Sequence, residues 1–139
     1  MEGWTCSHGK AIQQILNADL LTNKVGNPGM RNRPRYIDIV TAFDIEATRL
    51  PDIEQAFMYV WQWQIGPDCL IMGRTWEEFL DVLHMIRGFI QKGFGDSTRL
   101  VVWVHNLSYE FQFLRGIYPF QRKEVLCMDS RKVVKCEMF

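Results

Sequence analysis

The residues best placed to do chemistry are carboxylates. "AFDIEAT" sets Asp44 and Glu46 two apart in an otherwise apolar run, and "VHNLSYEFQFL" sets Asn106 and Glu110 four apart behind His105. Side chains alternate faces along a strand, so Asp44 and Glu46 point the same way. Residues four apart on a helix are neighbours, so Asn106 and Glu110 share a face. Three carboxylates brought together repel one another unless a cation neutralises them. All-oxygen donors suit magnesium or manganese rather than zinc. The plainer reading makes Glu110 a solvated residue on an amphipathic helix. Periodicity alone favours it, since D-x-E pairs arise in strands by chance.

The elements that must position these acids are legible in outline. Residues 9–23 carry Ile12, Ile15, Leu16 and Leu20 at helical spacing. "VGNPGMRNRPR" follows as a Gly/Pro/Asn linker in which Arg31, Arg33 and Arg35 read as a solvated basic loop rather than a phosphate contact. The chain thus divides into residues 1–35, an amphipathic helix and linker, and a compact part, residues 36–139. "YIDIVTAFDIEAT" reads as a strand. With Val40 and Ala42 opposite its Ile/Phe face, it is expected to be central and covered on both sides. Residues 56–65, "AFMYVWQWQI", give a second strand whose odd face, Phe57, Tyr59, Trp61 and Trp63, reads as packing. "GPD" turns into a third strand, "CLIMG".

Thr75-x-x-Glu78 is a capping box, and Trp76, Phe79, Leu80, Leu83, Ile86 and Ile90 form the apolar stripe of a helix expected to stop at Gly93. "LVVWV" is a fourth strand, expected to be buried on both faces. A second helix is predicted from about Leu107 to Arg115, and "EVLCM" and "KVVKCEMF" are two more strands. Three strands, a helix, a strand and a helix predict an α/β unit with a mixed sheet flanked by helices. If the fourth strand lies beside the first, its C-terminal end delivers Asn106 and Glu110 to Asp44 and Glu46.

Composition narrows the function classes. The chain has 139 residues, with hydrophobic residues at 47% and aromatics at 13%, enough for one packed domain. Basic and acidic residues balance at 16 each, so bulk positive charge does not coat nucleic acid. Four cysteines without a C-x-x-C pair and three histidines give no zinc spacing. The thiols are expected to be reduced and the protein cytoplasmic. The first residues lack the apolar core of a signal peptide, and no run is long enough for a membrane span.

Taken in order, the two acidic motifs resemble the first and second exonuclease motifs of family B DNA polymerases, and most closely the protein-primed type of bacteriophages and prophages. There, an apolar strand ends in D-x-E, and H-N-L plus two residues precedes an acid on an apolar helix. The resemblance covers residues 36–139 and implies the front part of a 3′→5′ proofreading domain on a ribonuclease H-like fold, incomplete at the C-terminus. By position it makes Asp44, Glu46 and Glu110 the ligands of a two-metal magnesium or manganese site. It places His105, Asn106, Leu107 and Tyr109 around the 3′-terminal nucleotides of a single DNA strand. Tyr109 could equally be core.

The implied chemistry is phosphodiester hydrolysis, one ion activating water and the pair stabilising charge on the attacking and leaving oxygens. The resemblance also implies a phage or prophage protein in a bacterial cytoplasm, and the remainder of a polymerase as partner. Three departures stand out: glutamate rather than aspartate at 110, alanine at 47 where a hydroxyl is often found, and no Y-x-x-x-D third motif after any tyrosine. Nuclease activity of this chain is therefore expected to be weak or absent. Two other readings remain: a free-standing, non-catalytic module of the same fold that binds nucleic acid or a protein, and an unrelated α/β domain with structural acids.

Overall fold

The computed structural model describes residues 8–22, 34–52, 55–129 and 132–138. Among these, the chain runs α1 (His8–Asn17), β1 (Leu20–Thr22), β2 (Arg35–Ile37), β3 (Thr41–Arg49), β4 (Ala56–Ile65), β5 (Leu70–Gly73), α2 (Trp76–Phe94), β6 (Thr98–Arg99), β7 (Val102–Val104), α3 (Leu107–Leu114), a short 3₁₀ turn (Arg122–Glu124), β8 (Val125–Asp129) and β9 (Lys132–Cys136). The fold is mixed α/β. Its main sheet has the order β5-β4-β3-β7, with β7 parallel to β3 and the other pairs antiparallel. A small sheet, β1-β2-β6, and the β8–β9 hairpin complete it.

One face of the main sheet makes the core. Phe43 and Ile45 from β3, Trp61, Trp63 and Ile65 from β4, and Ile71 from β5 are buried against Phe79, Val82, Ile86 and Ile90 of α2. Phe79 is the hub, with its ring centroid 5.0 Å from Phe43 and 5.6 Å from both Trp61 and Trp76. α1 buries Ala11 and Ile15 in the same core. Gly73 belongs to this packing: the Trp61 indole lies over it so closely that a Cβ there would overlap the ring. The indole Nε1 donates to the Thr75 carbonyl at 2.9 Å.

Several expectations needed correction. The predicted helix over 9–23 ends at Asn17, because Leu20 and Leu21 pair with Ile37 and Tyr36 in a strand. The long first strand is broken at 38–40 into β2 and β3. β3 is not covered on both sides: Val40, Ala42, Asp44, Glu46 and Thr48 are all exposed, Val40 at 73%. β7 is likewise open on one face, with Trp103 66% exposed.

The odd stripe of β4 does not run through. Glu46 pairs with Val60 but Ala47 with Met58, so Tyr59 is an extra, bulged residue and the alternation inverts there. Trp61 and Trp63 are buried, while Phe57 and Tyr59 are exposed. Thr75 caps α2 as expected, its hydroxyl accepting from the Glu78 amide at 3.1 Å. The Glu78 carboxylate, however, accepts from the amide of Arg74 rather than that of Thr75. The helix passes Gly93 and stops at Gly95, which takes the left-handed φ of 89° that glycine tolerates. Cys127 and Cys136 are free, but Cys69 is disulfide-bonded, against the expectation of four reduced thiols. Of the predicted basic loop, Arg31 and Arg33 lie outside the described residues, whereas Arg35 opens β2 and its guanidinium donates to the Phe94 carbonyl at 2.8 Å.

Candidate active site

The site is built by the parallel pairing of β3 and β7. Thr41, Ala42 and Phe43 pair with Val102, Trp103 and Val104. The next step along the two strands is Asp44 on one and His105 on the other. The chain leaves β7 at His105 and Asn106 and turns into α3, where the Asn106 carbonyl accepts from the amides of Tyr109 at 2.9 Å and Glu110 at 3.3 Å. Leu114 anchors α3 in the core, and Phe113 sits 6.4 Å from Trp76, centroid to centroid. This anchoring fixes the direction of Glu110.

Glu110 is 3% exposed, so it is not the solvated residue that periodicity favoured. Its Oε2 is buried with no hydrogen-bond partner among the described residues. The Asp44 side chain is a close neighbour of the Glu110 carboxyl group, acting on it through its charge and its hydrogen-bonding capacity. Two ionised carboxylates hold no proton between them, so this contact becomes a bond only when a proton or cation joins it. Burial first, and then the Asp44 charge, push the Glu110 carboxyl above its ordinary range. Its own backbone amide and His105 pull it down, and burial prevails.

The remaining residues singled out from the sequence fall as follows. Glu46 is exposed on the Asp44 face of β3, immediately before the bulge. Among the described residues, no group of three or more His, Cys, Asp or Glu side chains is placed to hold a metal ion. Of the three acids expected to converge, Asp44 and Glu110 are neighbours, and Glu46 completes no three-ligand group with them. His105, Asn106 and Tyr109 are exposed around the same junction, and Leu107 is half-buried. Tyr109 also packs edge-on to Phe113 at 5.4 Å, so it is partly packing and partly surface.

Trp103, expected to be buried within "LVVWV", is exposed and pairs with Ala42, two residues before Asp44. Elsewhere, a cavity of about 310 Å³ is lined by His8, Trp61, Met72, Glu78, Asp81, Val82 and Met85, none of them a residue of the acidic site.

The donor set fits one hard divalent cation. An orphaned, buried carboxylate oxygen beside a second carboxylate is what such an ion satisfies. Magnesium in particular is held by one or two carboxylates, with water and substrate phosphate completing its shell. Asp44 and Glu110 would hold it; the described side chains do not complete a second ion's shell. No helix among the described residues is long and apolar enough to cross a membrane. No protein-family model, curated protein or solved structure matches the chain.

Proposed function

We propose that the chain carries the first two acidic motifs of a 3′→5′ exonuclease domain of the kind found in protein-primed family B DNA polymerases, on a ribonuclease H-like sheet. The observation that carries the reading is the buried, unpartnered Oε2 of Glu110 set against Asp44. Parallel pairing of the two strands that bear the motifs supports it, because the resemblance requires those motifs to meet at adjacent strand ends.

The substrate is the 3′ end of a single DNA strand. A divalent cation, when bound, supplies charge neutralisation at a phosphate and a more acidic water. Asp44 and Glu110 hold that cation. His105 and Asn106, exposed at the mouth of the site, face the incoming strand. Tyr109 lends the free part of its ring. Among the described residues the two acids supply ligands for one ion.

The test is incubation of 5′-labelled single-stranded DNA with manganese. Slow shortening from the 3′ end that stops with Asp44→Asn supports the reading. A chain that leaves the DNA intact and binds no manganese at Asp44 loses it.

A second reading rests on the open sheet face, where Val40, Trp103, Phe57 and Tyr59 are exposed. A non-catalytic binding module would use that surface. It predicts tight binding of one partner, indifferent to metal and to loss of Asp44.

A further inference from the structure

The parallel register places a large exposed ring beside the acids. Trp103 pairs with Ala42, and Asp44 is two residues further along β3. Paired residues in a sheet present their side chains on the same face, as do residues two apart in one strand. Trp103, Ala42, Asp44 and Glu46 therefore share the uncovered face, with the Trp103 and Asp44 Cα atoms roughly 8 Å apart by strand geometry. Ala42 is too small to shade the indole, and exposed Val40 and Val101 extend its apolar surroundings. Among the described residues, no other aromatic side chain is as exposed as Trp103, at 66%. On the far side of Glu46, Phe57 (paired with Thr48) and the bulged Tyr59 are half-exposed. The acids thus sit between aromatic rings on one surface.

An apolar protein segment is a poor match for this surface, because it would have to bury Asp44 and Glu46 as well as the rings. A single nucleic-acid strand matches both parts. Its bases stack on aromatic faces without needing a sequence, and its phosphates approach carboxylates through a divalent cation. We infer that Trp103 is a substrate-binding residue, the stacking surface for an unpaired base of the strand whose phosphate meets the Asp44–Glu110 pair. This rests on the nuclease reading and adds to it a subsite outside both acidic motifs. Because phosphate reaches the carboxylates only with a cation, stacking on Trp103 is coupled to metal.

The experiment uses the 139-residue chain with a fluorescein-labelled oligothymidylate in magnesium, and a series in which one of the last few 3′ nucleotides is made abasic. Trp103→Ala is expected to weaken binding about tenfold, the usual worth of one stacked base, while Trp103→Phe stays within about threefold of the parent. At one position the abasic probe should cost the parent protein about tenfold and Trp103→Ala almost nothing, since the same contact cannot be lost twice. Metal-dependent, Asp44-dependent binding that ignores Trp103→Ala overturns the inference and leaves the nuclease reading standing. So do abasic and Trp103→Ala losses that simply add at every position. That is the result expected if a protein segment covers the indole instead. Absence of any metal-dependent binding by the parent chain overturns both.

Discussion

The carboxyl groups of Asp44 and Glu110 meet although they come from different elements, and one of them is almost wholly buried. Nothing in the core requires an acid there. Leu114 and Phe113 already hold α3 down. The chain instead keeps a group whose charged form is disfavoured by its surroundings.

That relationship fixes the sign of a pH effect. A carboxyl whose pKa is raised in the folded state binds protons more tightly there than in the unfolded chain. Its protonation favours folding, and stability falls as pH climbs from the unfolded value of about 4.5 through the raised folded one. Without divalent ions, Glu110→Gln is expected to stabilise the protein at pH 7, by about 1 kcal/mol for relieving an unsatisfied buried group. At pH 4 the gain should shrink. Thermal melts at the two pH values check this. A glutamine variant less stable than the parent at pH 7 contradicts the account.

Metal should separate the two acids of β3. Manganese at ten times its dissociation constant is expected to stabilise the parent by roughly 1.4 kcal/mol. Asp44→Asn and Glu110→Gln should each abolish that shift. Glu46→Gln should leave most of it, because Glu46 is exposed and joins no group of three ligands. A metal shift as sensitive to Glu46 as to Asp44 would mean that the three acids close on a cation after all.

How much of this was legible beforehand depends on whether the deciding interactions were local. The Thr75 cap, the α2 stripe, the hairpin at Gly66 and the extent of α3 rest on neighbours within a few residues, and sequence spacing reports those. Adjacency of β3 and β7 entered the sequence reading only as a condition, and the parallel pairing of the two strands supplies it. The bulge at Tyr59 and the open face of β3 were not legible. Bulge position depends on how β3 and β4 slide against each other, and one extra residue turns Phe57 and Tyr59 outward. Exposure of Val40 and Trp103 depends on what packs above the sheet, and hydrophobicity in the strand itself carries no record of that. In the site, type and spacing singled out Asp44 and Glu110 but favoured a solvated Glu110, and its burial depends on packing that spacing does not report. The distance of Glu46 from them was not legible, since a shared strand face does not guarantee a shared ligand sphere.

Gly73 offers a test of the core rather than the site. The Trp61 indole occupies the space a Cβ would need, and its Nε1 is tied to the Thr75 carbonyl, so the ring cannot swing away freely. Gly73→Ala is expected to cost about 1–3 kcal/mol, as overpacking does, seen as a lower urea midpoint with unchanged slope. Asp44-dependent manganese binding should survive in the folded fraction, because Gly73 lies on β5, two strands from the acids. A neutral substitution would show that the indole has room to move.

The two free thiols among the described residues should react at different rates. Cys136 is partly buried, and that burial, with the Glu137 charge, pushes its thiol up to about 11. Cys127 is exposed on the neighbouring strand. Since the thiolate is the nucleophile, iodoacetamide at pH 8 is expected to modify Cys127 first, as mass spectrometry of early time points would reveal. Equal labelling at the earliest times would show that the β8–β9 hairpin opens faster than the reagent reacts.

One side chain of the site helix ties the hairpin down. Ser108 Oγ accepts from the Val133 amide at 3.0 Å and donates to the Val133 carbonyl at 3.3 Å, tying β9 to α3 two residues before Glu110. A two-stranded ribbon is marginal by itself, and this one leaves Leu126 and Met128 exposed. Ser108→Ala removes both bonds and is expected to cost about 1 kcal/mol locally. The global melting temperature should barely move, because the main core does not include the hairpin. Amide exchange over Val125–Asp129 and Lys132–Cys136 should instead accelerate by roughly fivefold, the kinetic image of that local cost. If exchange in Leu107–Leu114 accelerates equally, the hairpin is bracing α3, and with it the position of Glu110, rather than merely resting on it. Unchanged exchange in both segments would show that the serine contact contributes nothing to holding the ribbon.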